Sequence, residues 1–101
     1  MKQYRPHPRA VFFYNFGGEI MELKDTVQLM QSDDYKDRFR AEYQQLVIRF
    51  EKLKKMVDNW DNLSFVPICP KSTYNMQLKA MSEYIAVLEA RAAIEQIAVW
   101  R

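Results

Sequence analysis

Seven large apolar residues run through the middle of the chain at alternating steps of four and three: Phe39, Tyr43, Leu46, Phe50, Leu53, Val57 and Trp60. That spacing keeps one stripe of a helix against a partner helix. A second stripe follows at Tyr74, Leu78, Met81, Ile85, Leu88 and Ala92. Pro67 and Pro70 lie between the two and forbid one continuous helix. The pattern predicts an all-α fold, an antiparallel helical hairpin. The first long helix is expected from about Asp33 to Asp61, started by Ser32-Asp33-Asp34, whose side-chain oxygens and negative charge suit a helix N-terminus. The second is expected to begin under a Ser72 or Thr73 cap and to run to about Ala98.

Two shorter segments frame the hairpin. Met21 to Gln31 predicts a short amphipathic helix with Leu23, Val27 and Met30 on one side. Within the connection, Asn62 to Lys71, the residues Phe65, Val66 and Ile68 are too apolar for a solvated loop. They are expected to cap one end of the core.

Two helices cannot enclose a core by themselves. Both carry apolar residues outside their stripes: Val47, Ile48 and Met56 on the first, Tyr84, Val87, Ile94 and Ile97 on the second. The surplus predicts assembly into an oligomeric helical bundle, or cover from the segment at 21–31. Ala80, Ala86, Ala90, Ala92 and Ala93 favour helix and let another helix approach closely.

Size agrees with this. A chain of 101 residues allows one domain, and small domains often gain stability by oligomerising. The net charge of +2 is too small to imply a nucleic-acid polymer as partner, and no apolar run approaches the roughly 20 residues that span a bilayer. The basic excess belongs to residues 1–20, where Lys2, Arg5 and Arg9 face Glu19 alone. That segment differs in composition, with Pro6-His7-Pro8 extended and Val11 to Phe16 strand-like up to Gly17-Gly18. It reads as an N-terminal arm, or as an extension ahead of a natural start at Met21; residues 21–101 are the hairpin domain.

Candidate chemistry is sparse. His7, the single histidine, has no carboxylate near it in sequence, and Cys69 is the single cysteine, so no metal-ligand spacing exists and the thiol fits a reducing compartment. Asp33, Asp34 and Asp37 read as a capped first helical turn, and Arg49, Lys52, Lys54 and Lys55 as a solvated face. No phosphate loop or nucleophile motif is present. No enzyme, cofactor or metal is expected. Pro70-Lys71-Ser72-Thr73-Tyr74-Asn75 joins a helix N-terminus to a lysine, hydroxyls and an aromatic ring. Such a group suits an anion with a base to stack, or it is a capped helix start with Tyr74 in the core.

Several segments carry a family resemblance. Asp25 to Met30, Ser32 to Tyr43, Ile48 to Leu53, Cys69-Pro70-Lys71-Ser72, Gln77 to Met81 and Tyr84 to Ala92 together resemble a family of small phage and prophage proteins named after a crAssphage gene product. A long helix, Cys-Pro-x-Ser and an alanine-rich helix are also similar, more distantly, to the hairpin domain of phage sponge proteins that counter the CBASS and Thoeris defences. The resemblance implies a homo-oligomer that sequesters a cyclic oligonucleotide or ADP-ribose-type signal without cleaving it, in the cytoplasm of an infected bacterial host. Pro70 and Ser72 match the motif; Lys71, Thr73 and Tyr74 are added for their chemistry. Arg91 sits among apolar residues, where an unpaired arginine is costly, and is expected to meet a carboxylate or a ligand phosphate. Tyr35 and Arg38 complete the candidate ligand-binding set. The aromatic-basic motif of the best-known sponges is matched only loosely by Tyr4-Arg5-Pro6-His7. Two alternatives stay open: an inhibitor that grips a host defence protein through Phe12, Phe13, Tyr14 and Phe16, and a phage structural or assembly protein.

Overall fold

The structure, a computed structural model, describes residues 21–101. The arm, with His7 and the strand-like Val11 to Phe16, lies outside the described residues, as does the choice between arm and extension. Among the described residues all regular structure is helical. A single 3-10 turn, Leu23–Thr26, runs into α1, Val27–Met30. The hairpin is α2, Tyr35–Asp58, and α3, Lys71–Glu95, with a 3-10 turn at Trp60–Asn62 between them. None of these helices is long and apolar enough to cross a membrane.

Three of the four helix ends of the hairpin fall inside the expected limits, each for a local reason. Asp34 is the cap of α2 and not part of it: its carboxylate accepts from the Lys36 amide at 2.9 Å. Ser32 Oγ accepts from the Asp34 amide at 3.0 Å and donates to Asp37 at 2.8 Å, which locks the turn. At the far end the Asn59 side chain donates to the Lys55 carbonyl at 2.9 Å, and the chain tightens into the Trp60–Asn62 turn instead of continuing α2 to Asp61. α3 starts earlier than expected. Pro70, in extended geometry, is its N-cap, and the amides of Thr73 and Tyr74 bond to the Pro70 carbonyl. Ser72 and Thr73 therefore sit inside the first turn and cap nothing. Proline is already preset for a helix entry, so no hydroxyl cap is needed there.

α3 stops at Glu95, short of Ala98. Gln96 takes the left-handed conformation, φ 58° and ψ 44°, and the Ile97 amide reaches back to the Ala92 carbonyl at 2.9 Å. This is a Schellman closure with glutamine where glycine is usual. It turns Ile97 into the core, and Val99 packs beside it.

The core lies at the end of the hairpin that holds both of the described chain's termini. Phe39, Tyr43, Val47 and Ile48 from α2 meet Ile85, Leu88 and Ala92 from α3, with Met21 and Ile97 closing the sides. The first stripe is thus confirmed at Phe39, Tyr43 and Val57, which are buried, while Leu46, Phe50, Leu53 and Trp60 are half-buried. The N-terminal segment takes up the surplus apolar face of α2, but of the three residues expected only Leu23 does so. Val27 and Met30 are exposed; Leu23 packs on the core and Thr26 is fully buried. In a 3-10 turn, residues three apart eclipse, which sends Leu23 and Thr26 to one side. Thr26 Oγ1 donates to the Leu23 carbonyl at 2.7 Å and accepts from Gln45 Nε2 at 2.8 Å, so this buried hydroxyl is satisfied.

The apolar connection does not cap the core. Val66 is 91% exposed and Ile68 is fully exposed. A tilted contact between Trp60 and Tyr74, centroids 5.9 Å apart, already closes that end of the hairpin. α3 keeps Met76, Tyr84, Val87 and Ile94 in solvent.

Candidate functional site

Arg91, Tyr35 and Phe39 come together where the start of α2 crosses the end of α3. The Asp34 cap fixes Tyr35 as the first residue of α2, and Phe39 follows one turn later, their rings tilted with centroids 6.3 Å apart. From α3, the Arg91 guanidinium lies over the Phe39 ring with Cζ 5.0 Å from the centroid. Arg91 Nη2 donates to the Tyr35 hydroxyl at 2.8 Å, and that hydroxyl donates to Glu95 Oε1 at 2.8 Å. Arg91 Nε reaches Glu95 Oε2 at 3.5 Å.

The Arg91 pKa is held above the ordinary arginine value, first by the hydrogen bond to Tyr35, against the loss of hydration, with lesser help from the charges of Tyr35 and Glu95. The result is a permanent cation at the surface, seated on the buried Phe39 ring, with a phenol and a carboxylate beside it. Guanidinium and phenol both bond phosphate or ribose oxygens, and of the two rings Tyr35 is the exposed one. Two turns of α3 earlier, Tyr84 donates to Glu42. That bond, with lesser help from burial and from the negative charge of Glu42, raises the Tyr84 pKa above the usual phenol value.

The sequence-predicted residues divide into two groups. Tyr35 and Arg91 share the site just described. Arg38 stands one turn along from Tyr35, but its Nη1 donates to the Ser32 carbonyl at 2.8 Å and helps hold the cap. Lys71, Ser72, Thr73 and Tyr74 are at the other end of α3, twenty residues from Arg91, or roughly 30 Å at 1.5 Å per residue. Within one chain they cannot join the Arg91 site. Lys71, Ser72 and Thr73 are exposed at a helix N-terminus without a side-chain cap, and Tyr74 is half-buried against Trp60. Of the two readings for Tyr74, its ring packing fits the core residue.

Phe39, Glu95 and Glu42 are absent from the sequence-derived set. The i,i+4 spacings Tyr35–Phe39 and Arg91–Glu95 are visible in the sequence and mark local pairs. The register that sets Arg91 over Phe39, or Tyr84 against Glu42, is not. The aspartates behave as a helix start, Asp34 as cap and Asp37 in a 3.3 Å pair with Arg40. Among the described residues no cluster of histidine, cysteine and acids could hold a metal ion.

The Sequestin family model matches residues 33–94, more than half of the chain and the span from the α2 cap to the last turn of α3. This chain belongs to the Sequestin family. The Sequestin match covers the hairpin and contains every sequence-predicted site residue; residues 1–32 lie outside it. The family's name denotes sequestration, of a ligand or a partner. No curated protein and no solved structure matches the chain.

Proposed function

We propose that this Sequestin holds a small anionic signal of the cyclic oligonucleotide or ADP-ribose type without cleaving it, as a phage protein acting against a bacterial defence in the host cytoplasm. The family match carries the reading. The Arg91–Tyr35 pair on Phe39 supports it with the required chemistry, a guanidinium for phosphate and the exposed Tyr35 ring for a base. An activity without turnover agrees with the groups present. The cluster has a cation, a phenol and a carboxylate, and no serine, threonine or cysteine nucleophile within it. Lys71, Ser72 and Thr73, at the open N-terminus of α3, are the second candidate contact.

The test is thermal melting of the purified protein against a panel of cyclic di- and trinucleotides and ADP-ribose isomers. One member should raise the melting temperature, and the ligand released by denaturation should have unchanged mass. No shift across the panel counts against the reading. The exposed apolar loop at Phe65, Val66 and Ile68 favours a second reading, an inhibitor that binds a host defence protein. Capture of such a protein, with no response to the panel, would favour that one.

A further inference from the structure

α3 carries two apolar stripes on opposite sides. Leu78, Ile85, Leu88 and Ala92 face α2, as the hairpin demands. At about 100° per residue, Met76, Ala80, Glu83, Val87, Ala90 and Ile94 fall within roughly 40° of one line on the far side. Every one of these six is exposed: Met76 at 71%, Val87 at 56% and Ile94 at 80%. Their steps of four, three, four, three and four repeat the spacing of the inner stripe. α1, α2 and the C-terminal residues leave this side uncovered.

We infer that the outer stripe of α3 pairs antiparallel with the same stripe of a second copy, on a two-fold axis that crosses the outer face midway between Glu83 and Val87. The inference goes beyond the proposed function, which names no assembly, and stands on the exposed stripe itself. The stripe is self-complementary when reversed. Met76 then faces the partner's Ile94, Ala80 faces the partner's Ala90, and Glu83 faces the partner's Val87. Small residues thus lie opposite small ones, where two helices can approach closely, and large ones meet at the ends. A parallel pair would set Glu83 against Glu83 in mid-seam, a like-charge contact that costs energy. Reversal separates those carboxylates along the axis, and each keeps its own Lys79 at 2.9 Å. Opposed helix dipoles favour the same orientation.

The ends of the molecule agree. The exposed Phe65, Val66 and Ile68 precede α3, while the exposed Ile94 and Trp100 lie at and beyond its C-terminal end. An antiparallel pair brings the first group of one copy to the second group of the other, which widens a seam otherwise narrow for a stable interface. The same register sets Lys71 to Tyr74 of one copy level with residues 99–96 of the other, roughly 8–12 Å along the axis from its Arg91. The two groups of candidate residues, at opposite ends of one chain, then lie toward the same end of the pair.

The experiment is the mass in solution of the full chain, by light scattering on a sizing column, for wild type, Val87→Glu and Ile94→Glu. Circular dichroism checks that the exposed substitutions leave the helices intact. The wild type should run at twice the chain mass and both variants at half that value. For orientation, Ala80→Cys and Ala90→Cys chains in a Cys69→Ser background are mixed and oxidised, and should cross-link to each other and not to themselves. A monomeric wild type overturns the inference and leaves the stripe to another occupant, such as residues 1–20. An oligomer untouched by either glutamate, or Ala80→Cys chains bonding to themselves, also overturns it. The ligand panel is read separately, so a wild-type dimer that binds nothing defeats the proposed function and leaves the interface standing.

Discussion

The guanidinium of Arg91, on the last turns of α3, lies over the ring of Phe39, on the first turns of α2, with Cζ 5.0 Å from the ring centroid. Tyr35 and Glu95 hold that arrangement from the sides. The hairpin core beneath is closed without Arg91, through Tyr43, Leu88 and Ala92. The cation is therefore held in place by the fold while contributing little to it.

Arg91→Ala should accordingly leave the melting temperature of the unliganded protein nearly unchanged and abolish the ligand-induced rise. Arg91→Lys should restore part of that rise, because a lysine keeps the charge and loses the planar fork. Differential scanning fluorimetry with and without ligand separates the two effects. A variant that melts much earlier without ligand would mark Arg91 as a structural residue.

Leu88 has no exposed surface and belongs to the same core cluster as Tyr43 and Ile85. Leu88→Ala should cost about 2–5 kcal/mol through lost burial and the cavity left behind. For a domain of this size that is a fall of roughly 10 °C or more in melting temperature. Ile94→Ala removes an apolar side chain that the single chain leaves in solvent, and should not destabilise an isolated monomer. Urea unfolding of dilute samples makes the comparison.

Gln96 occupies the left-handed region at the end of α3, a conformation that a side chain with Cβ disfavours. Gln96→Gly should stabilise the protein by about 1 kcal/mol, since glycine removes the clash and keeps the Ile97 to Ala92 closure. The expected readout is a melting temperature about 4–8 °C higher. A fall would mean that the Gln96 side chain contributes more than its backbone strain costs.

Tyr84 donates to Glu42, and this bond raises its pKa above 10.0 in the folded protein. A raised value means that the folded state keeps the phenol proton where the unfolded chain has lost it. The stabilisation from this group is complete below pH 10, and it declines as pH rises through the folded value. Tyrosinate absorbance should show a late-ionising component that shrinks in Tyr84→Phe. Glu42→Gln should return Tyr84 toward the ordinary range.

The sequence reveals the hairpin because its core follows one rule: residues three and four apart share a face. Phe39, Tyr43, Ile85, Leu88 and Ala92 could be read from that spacing, and they are buried. The rule says nothing of which surplus apolar residue is covered. Val47 and Ile48 are buried beneath the N-terminal segment, while Val87 and Ile94 of α3 remain exposed. Thr26 stayed hidden because a 3-10 turn changes the period from 3.6 to three. The connection misled for a related reason. Its hydrophobicity suggested burial, yet the Trp60–Tyr74 contact fills that end first. Tyr35 and Arg91 were legible as polar and aromatic residues out of keeping with a pure core, but their meeting depends on hairpin register, which composition and period do not encode.

Native mass spectrometry of the full chain, purified from cells that produce cyclic nucleotide and ADP-ribose signals, tests the central claim most directly. The account predicts a homo-oligomer carrying an added mass of several hundred daltons, with the small molecule intact on release and absent from Arg91→Ala. A protein that leaves those cells with no added mass, and takes up none of the signals when they are supplied, would contradict it.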